Sequence, residues 1–163
     1  MSALEEIEAI KQLKYRYLRA VDLKLWELLE STFAPDAASA YDGGKQSYQG
    51  RAAIVGWLRS AMDNDLITLH QVHHPEIVID SPDAARGTWY LEDRVINPAG
   101  DLPDMPGHSI LSGAGFYSDE YVKIGSEWKI SLTGYERTFV EIRDYEAPAM
   151  LSSRWEGRAR ASV

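Results

Sequence analysis

Cysteine is absent from this chain of 163 residues. The sequence therefore excludes disulfide bonds, thiolate nucleophiles and zinc sites built on thiolates. A chain without disulfides suits a reducing compartment. Its first residues, Met-Ser-Ala-Leu-Glu-Glu, lack the basic start and apolar run of a signal peptide. We therefore expect a cytoplasmic protein.

Long apolar runs and an excess of basic residues are also missing. No stretch approaches the roughly 18 consecutive apolar residues of a membrane-spanning helix, so we expect no membrane partner. Lys and Arg number 17 against 25 Asp and Glu, which gives a formal net charge of −8. A chain of this charge repels a phosphate backbone, so we expect no nucleic-acid partner.

The motifs that mark nucleotide cofactors and serine nucleophiles are missing as well. Gly113-Ala114-Gly115 is followed by Ser118, where a dinucleotide-binding fingerprint has its third glycine. The chain has no phosphate-binding loop of the Gly-x-x-x-x-Gly-Lys type and no Gly-x-Ser-x-Gly elbow. We therefore expect an activity that uses no cofactor.

The residues that are present divide into helices followed by strands. Apolar residues recur every three or four positions over 4–21, which predicts a first helix. A second helix is predicted over 23–33 and a third over 51–62. Two short strands, at 37–41 and 46–48, are predicted between the second and third helices.

Four longer strand-like runs follow, at 66–80, 84–97, 109–123 and 127–140. Helices followed by antiparallel strands predict an α+β fold. We expect one cone-shaped, curved antiparallel sheet with the three N-terminal helices on its concave face. Such a cone encloses a pocket, where a small hydrophobic ligand would lie.

Two stretches carry no strong periodicity. The segment 98–108 contains three prolines and two glycines and is predicted to be an irregular loop that could act as a lid. The last residues are predicted to form a tail. We therefore assign residues 1–143 to a single domain and residues 144–163 to a C-terminal tail.

One carboxylate interrupts the apolar face of the second long strand. Alternate residues of a strand share a face, so Asp93 lies with Trp89, Leu91 and Val95. A carboxylate in such surroundings must be paired, protonated or part of a functional site. An ion pair with Arg137 and a functional role are equally good interpretations.

Two polar residues of the first helix also need an explanation. Tyr17 lies on the apolar stripe, where a core tyrosine with a backbone partner is the simpler interpretation. Asp22 lies near the helix C-terminus, which disfavours negative charge by about 0.3–1 kcal/mol. A solvated Asp22 near Lys24 would satisfy the pattern, but a buried one needs compensating donors.

Three histidines, His70, His73 and His74, crowd one strand. Residues three apart in a strand face opposite sides, and Pro75 is expected to disturb the strand. With only His108 elsewhere, the histidines do not form a metal cluster, and we expect no metal site. A single active-site histidine is favoured, because neutral imidazole titrates near working pH.

Several segments together resemble a known family. The first begins with Ile7-Glu8-Ala9-Ile10-Lys11-Gln12-Leu13 and continues with Tyr17 and with Asp22 followed by Leu25-Trp26. The others are His70-Gln71-Val72-His73-His74-Pro75, Trp89-Tyr90-Leu91-Glu92-Asp93 and Thr133-Gly134-Tyr135-Glu136-Arg137. Over residues 6–142 the chain is similar to the SnoaL-like, or nuclear transport factor 2-like, superfamily. The similarity is greatest to the bile-acid 7α-dehydratases, which are related to scytalone dehydratase and hexachlorocyclohexane dehydrochlorinase.

The resemblance implies a set of site residues and an assembly. The implied catalytic residues are Tyr17, Asp22, His70 and Asp93, and Arg137 in the last strand is an implied substrate-binding residue. The implied assembly is a homotrimer. Large aromatic residues are further candidates for the apolar wall of the pocket: Trp26, Tyr41, Trp57, Trp89 and Tyr117.

The implied activity is that of a lyase, specifically a dehydratase that removes water from a bulky, apolar, hydroxylated substrate such as a steroid or bile acid. His70 would be the general base, oriented by Asp22 or Asp93, and Tyr17 would donate a hydrogen bond to a developing oxyanion. Two alternatives stay open. One is a ketosteroid isomerase-like or polyketide cyclase-like enzyme, and the other is a non-catalytic small-molecule-binding module of the same fold.

Overall fold

Three helices and six strands make up the described part of the chain, which in this computed structural model covers residues 2–62, 66–98, 108–145 and 152–153. The helices are α1 (Ala3–Asp22), α2 (Trp26–Ser31) and α3 (Arg51–Met62). The strands are β1 (Phe33–Tyr41), β2 (Gln46–Gln49), β3 (Ile67–Ser81), β4 (Ala84–Asn97), β5 (Ser109–Ile124) and β6 (Glu127–Asp144).

The strands form one curved, unclosed sheet in the order β2-β1-β6-β5-β4-β3. Neighbouring strands are antiparallel, except that β1 and β6 are parallel. The helices bury their apolar sides against this sheet, and Leu13, Leu29 and Ile54 of the three helices join Trp89 and Ile130 of the strands in one core. The predicted α+β fold is confirmed.

The longest helix, α1, begins with a capping box. Glu5 N–H donates to Ser2 Oγ and Ser2 N–H donates to Glu5 Oε2, so two backbone groups at the helix start are satisfied. The helix then runs to Asp22 and buries Leu13, Tyr17 and Val21 on one face. This spacing is the predicted one, and it aims Tyr17 and Asp22 at the concave side of the sheet.

Two predicted boundaries are wrong. The second helix is shorter than the predicted 23–33, because β1 begins at Phe33 and pairs with Ile130 of β6. This parallel pairing joins β1 to a strand that lies almost 100 residues later in the chain. Local periodicity cannot reveal a contact over such a distance. The last strand is also longer than the predicted 127–140, because it runs to Asp144, which pairs with Ser109.

A bulge interrupts β3 at the predicted position. His73 pairs with Tyr90 and Glu76 with Thr88, so His74 and Pro75 together oppose a single residue of β4. His74 has a φ of 46°, which is a left-handed conformation. The bulge bends β3 and separates the part that carries His70 from the rest of the strand.

Two predicted features lie largely outside the described residues. Of the loop at 98–108 the structure describes Pro98 and His108, and of the tail at 144–163 it describes residues 144–145 and 152–153. Among the described helices, none has both the length and the apolar character needed to cross a membrane.

Candidate active site

A cavity of about 720 Å³ lies between the helices and the concave face of the sheet. Much of its wall is apolar, including Leu18, Val21, Leu58, Leu66, Val95, Leu111, Val140 and Ile142. Polar and aromatic side chains are grouped on the remaining wall, and they include Tyr17, Tyr41, His70, Asp93, Tyr117, Tyr135 and Arg137. An apolar cavity with a few convergent polar groups is the usual form of a small-molecule site.

His70 and Asp22 form a close pair at this wall. His70 Nδ1 lies 2.7 Å from Asp22 Oδ1, and His70 N–H donates to Asp22 Oδ2 at 2.9 Å. Asp22 therefore contacts both the ring and the backbone of His70, and these two contacts together fix the orientation of the imidazole. Asp22 does not line the cavity, whereas His70 does. With Nδ1 facing Asp22, the other ring nitrogen, Nε2, is the one that could act on a ligand.

Asp22 is compensated by a residue that the sequence does not single out. Thr68 Oγ1 donates to Asp22 Oδ1 at 2.9 Å, so this carboxylate at the C-terminal end of α1 accepts hydrogen bonds from two residues of β3. The sequence could have indicated Thr68, because it lies two residues before His70 and so shares its face of β3.

Asp93 is held by Arg137 in a bidentate ion pair. Arg137 Nη1 donates to Asp93 Oδ1 at 2.8 Å and Nη2 donates to Oδ2 at 2.6 Å. Asp93 is the register partner of His70 across β3 and β4, but the His70 ring is hydrogen-bonded to Asp22, while Asp93 binds Arg137. Burial disfavours the charged form of the Arg137 guanidinium. The hydrogen bonds to Asp93 and the charge of Asp93 outweigh this effect and raise the pKa of Arg137.

Gly113 makes room for this ion pair. It lies opposite Asp93 in β5, and a Cβ placed there would collide with Arg137 Nη1 and lie 3.2 Å from Asp93 Oδ1. A side chain at position 113 is therefore incompatible with the observed geometry. This glycine was part of a failed cofactor motif in the sequence, and its role becomes visible only from the pairing of β4 with β5.

Four tyrosines form the aromatic part of the polar wall: Tyr17, Tyr41, Tyr117 and Tyr135. The hydroxyl oxygens of Tyr17 and Tyr41 lie 3.1 Å apart. Tyr117 packs edge-on against both Tyr17 and Tyr135. Burial raises the pKa of Tyr17, and it does the same for Tyr41 and Tyr117, so these phenols stay protonated and able to donate.

Tyr135 is a second residue that the sequence interpretation missed. It lies two positions before Arg137 in β6, and both side chains line the cavity. The guanidinium carbon of Arg137 is 5.1 Å from the centre of the Tyr135 ring. The period of two along β6, applied from Arg137, was enough to identify it.

The predicted aromatic wall is only partly in place. Tyr41, Trp57, Tyr117 and Arg137 line the cavity, and Trp57 stacks on Tyr41 with ring centres 5.0 Å apart. Trp26 and Trp89 are not among the described lining residues. Trp89 is fully buried and donates its Nε1–H to the hydroxyl of Tyr121 instead, while Trp26 packs at the edge of the core.

The other two histidines of β3 lie away from His70. The His73 side chain is 40% exposed, with Nε2 3.8 Å from Glu92, and His74 lies at the bulge. The face alternation and the bulge therefore separate the three histidines. Within the described ranges, His, Asp and Glu form no group of three that could hold a metal ion.

A sequence profile of the SnoaL-like domain matches residues 2–133. The chain belongs to the SnoaL-like family. The match runs from α1 into the first half of β6, and so includes the polar wall except Tyr135 and Arg137.

Solved structures share the fold of this SnoaL-like protein. A hexachlorocyclohexane dehydrochlorinase (LinA, type 2) is 20% identical, with a TM-score of 0.76 over 91% of this chain and 97% of that chain. A candidate scytalone dehydratase from Novosphingobium aromaticivorans is 22% identical, with a TM-score of 0.72 over 96% of each chain. A protein with a cystatin-like fold from Caulobacter vibrioides is 18% identical, with a TM-score of 0.67 over 83% of this chain and 91% of that chain.

Proposed function

We propose that this SnoaL-like protein is a cofactor-independent lyase that eliminates water from a bulky, apolar, hydroxylated substrate. The observation that carries the proposal is His70, which lies on the cavity wall with its Nδ1 held by Asp22 Oδ1. A base in this arrangement has one tautomer favoured and one nitrogen directed to the ligand.

The proposed reaction needs three functions, and residues on the cavity wall can supply each of them. His70 Nε2 accepts a proton from a substrate carbon, the electron pair of that C–H bond becomes the second bond of C=C, and the C–O bond breaks. The imidazolium, stabilised by Asp22, then gives its proton to the leaving hydroxide, which departs as water. The Tyr17–Tyr41 pair donates to the substrate oxygen on which negative charge develops.

Asp93 and Arg137 take a binding role in this proposal. Their bidentate contact neutralises both charges, so neither is available as a base in the observed state. Arg137 and Tyr135 instead set the polar end against which the substrate lies. The similarity to dehydrochlorinase and dehydratase folds is in keeping with elimination chemistry, although folds of this kind host several reactions.

A steroid- or bile-acid-type substrate suits the size and lining of the cavity. A volume of about 720 Å³ falls in the range of pockets that enclose drug-sized ligands. The apolar walls would cover a fused-ring skeleton, and the tyrosines and Arg137 would meet its oxygens. Isomerase or cyclase chemistry would use the same proton abstraction without loss of a group, so the products must decide between them.

The test is a panel of hydroxylated steroids and bile-acid derivatives, free and as thioesters, assayed for loss of one water by mass and for conjugated-diene absorbance. We expect elimination by the wild type and a loss of about 10²–10⁴-fold in His70→Ala, the scale of a general base. His73→Ala is the matched control and should stay within a few-fold of wild type. Asp22→Asn should also lose activity, and its effect should not add to that of His70→Ala.

Each outcome of this panel separates the candidate functions. Full activity of His70→Ala contradicts the proposed base. A rearranged product of unchanged mass identifies an isomerase. Tight binding by the wild type without turnover of any compound identifies a binding module, for which no catalytic His–Asp pair is needed.

We further propose that the protein assembles as a homotrimer. The convex side of the sheet exposes large apolar side chains, with Leu69 48%, Tyr90 42%, Phe116 40% and Phe139 56% accessible. Tyr90 and Phe116 are cross-strand neighbours with ring centres 4.6 Å apart, so they form a continuous patch. Contact with other copies would cover it. Light scattering that gives the mass of a monomer at micromolar concentration contradicts this assembly.

A further inference from the structure

A second ion pair lies behind the tyrosines of the cavity wall and takes no part in the proposed reaction. Lys14 Nζ of α1 is 2.7 Å from Asp119 Oδ2 of β5, and neither side chain is exposed to solvent. Removing both charges from water is costly, and an apolar pair of similar volume is often as stable or more so. Stability alone is therefore a weak reason for this pair.

The carboxylate of this pair is fixed by residues of two strands. Tyr121 donates its hydroxyl to Asp119 Oδ2 at 2.8 Å, and Thr133 Oγ1 of β6 donates to Oδ1 at 2.7 Å. Trp89 Nε1–H of β4 donates in turn to the Tyr121 hydroxyl at 2.8 Å. We call Lys14, Asp119, Tyr121, Trp89 and Thr133 the closed network, because none of them lines the cavity.

The ammonium group of the closed network contacts two rings of the cavity wall. Lys14 Nζ lies 3.4 Å from the centre of the Tyr117 ring and 4.9 Å from that of Tyr17. The two rings are nearly perpendicular, with an interplanar angle of 88°, and both line the cavity. A cation placed over aromatic faces attracts them directionally, so Lys14 limits the orientations open to both rings.

The sequence spacing explains why one residue can reach both rings. Lys14 and Tyr17 are three apart in α1 and lie on its buried face. Tyr117 and Asp119 are two apart in β5 and share a face of the sheet. The ion pair thus joins α1 to β5 at the point where Tyr17 and Tyr117 meet.

We propose that Lys14 and Asp119 are positioning residues, which hold the Tyr17 and Tyr117 rings so that the Tyr17–Tyr41 hydroxyl pair meets an oxygen of the bound ligand. This proposal rests on the proposed function for its consequence in catalysis, but the orientation of the rings is independent of any substrate. Burial lowers the pKa of Lys14, and the Asp119 carboxylate partly opposes that effect.

The experiment uses the neutral double variant Lys14→Met/Asp119→Asn. This variant removes both charges together, so no unpaired charge is buried, and Asn can still accept from Thr133 and contact the Tyr121 hydroxyl. The matched control is Glu6→Gln/Lys123→Met, which neutralises another contact between α1 and β5. Lys123 Nζ lies 2.5 Å from Glu6 Oε1 there, beside Trp128 and away from the cavity.

Two readouts are measured on each variant after urea unfolding has shown it to be folded. Near-ultraviolet circular dichroism reports the fixed orientation of the tyrosine rings without any ligand. Steady-state kinetics on the substrate found in the panel separates kcat from KM. We expect the double variant to lose the dichroic component that Tyr17→Phe and Tyr117→Phe also remove. We also expect kcat to fall about tenfold or more, with KM within about threefold, because misplaced donors cost turnover more than binding.

The control variant should retain both the tyrosine signal and kcat. An unchanged tyrosine signal in Lys14→Met/Asp119→Asn overturns the proposal whether or not the protein is an enzyme, and so does an unchanged kcat. A double variant that does not fold overturns it too, since the pair would then be a stability element. If the wild type turns over no substrate, the proposed function fails, and loss of the tyrosine signal in the double variant alone still supports the positioning role.

Discussion

The same three strands carry two polar clusters of opposite character. In the closed network, Asp119 of β5 meets donors from Lys14, Tyr121 and Thr133, and only 2% of Asp119 is exposed to solvent. The second cluster lies a few residues further along the same strands. There Asp93 and Arg137 pair with each other, and both also border a cavity of about 720 Å³.

The comparison teaches how one sheet can carry both groups that meet a ligand and groups that support them from behind. β4 supplies Trp89 to the closed network and Asp93 to the cavity, and β6 supplies Thr133 and Arg137 in the same way. Removal of a tyrosine hydroxyl should therefore lower mainly stability at Tyr121 and mainly turnover at Tyr17.

The largest expected effect is on stability at high pH. Burial raises the pKa of Tyr17, Tyr41 and Tyr117 at the cavity and of Tyr121 in the closed network. The folded protein then keeps protons that the unfolded chain releases near pH 10, so stability is full below that pH and falls above it. At pH 11 each phenol that stays protonated in the folded protein costs roughly 1 kcal/mol of stability, and the four act in the same direction.

Absorbance at 295 nm and circular dichroism, followed together from pH 8 to 12, measure this effect. We expect the phenolate signal of the four buried tyrosines to appear with unfolding. If Tyr17, Tyr41 and Tyr117 ionise while the protein is still folded and Tyr121 does not, water reaches the cavity wall but not the closed network. That result would sharpen the contrast between the two clusters. If all four ionise in the folded state, the comparison fails.

The next largest effect is expected when a tyrosine is replaced by phenylalanine, a change that can be made in each of the two clusters. Tyr17→Phe removes a donor at the cavity, and we expect a loss of turnover of about 10²-fold, the scale for one oxyanion donor. We expect its unfolding free energy to change by about 1 kcal/mol or less. A clearly lower melting temperature with normal turnover would mean that Tyr17 is only a core residue.

Tyr121→Phe is the matched substitution in the closed network. It deprives Trp89 Nε1–H of its acceptor and Asp119 of one donor. We expect a loss of about 1–3 kcal/mol of unfolding free energy, because a buried donor is left unsatisfied. Turnover should stay within about threefold of wild type, since Lys14 still contacts Asp119. Urea unfolding and initial rates on both variants decide whether the two clusters separate as described.

A smaller effect is expected from filling the space beneath the Asp93–Arg137 pair. Gly113→Ala would place a methyl group against Arg137 Nη1 and 3.1 Å from the Phe139 carbonyl oxygen. We expect a loss of about 1–3 kcal/mol of stability from overpacking, with a lower affinity for ligand. Gly56→Ala in α3, where nothing lies within 4 Å, is the control and should gain about 0.5–1 kcal/mol. Equal behaviour of the two variants contradicts the role of Gly113.

Local periodicity predicted the elements of the fold because most of them are amphipathic. The burial of α1 and the alternation of β4 both follow the predicted faces. The start of β1 at Phe33 was not predictable in this way, because it depends on pairing with Ile130 far along the chain. Local patterns also assigned Trp89 to the cavity, since they show which face is buried but not whether a cavity or a packed core covers it.

The candidate site was recognisable from the resemblance more than from the pattern. Tyr17 and Asp22 each had a simple structural interpretation in the helix, and only the resemblance marked them as functional. The partner of His70 stayed open between Asp22 and Asp93, because the choice depends on how α1 crosses β3. Thr68 was missed for the same reason, since its contact to Asp22 spans 46 positions.

The smallest expected effect concerns Thr68, whose hydroxyl helps to hold Asp22 against His70. Thr68→Val keeps the shape of the side chain and removes one hydrogen bond to the carboxylate, while the two contacts from His70 remain. We expect kcat to fall about 3- to 10-fold with KM nearly unchanged, which corresponds to the loss of one ordinary hydrogen bond of about 0.5–1.5 kcal/mol. Thr88→Val on the exposed face of β4 is the control, and it should leave kcat unchanged.

The loss of kcat should also disappear when Thr68→Val is added to Asp22→Asn, because Thr68 acts through that carboxylate. A full additional loss in the Asp22→Asn background would mean that Thr68 supports β3 by another route, and equal kcat in Thr68→Val and wild type would mean that His70 alone fixes Asp22.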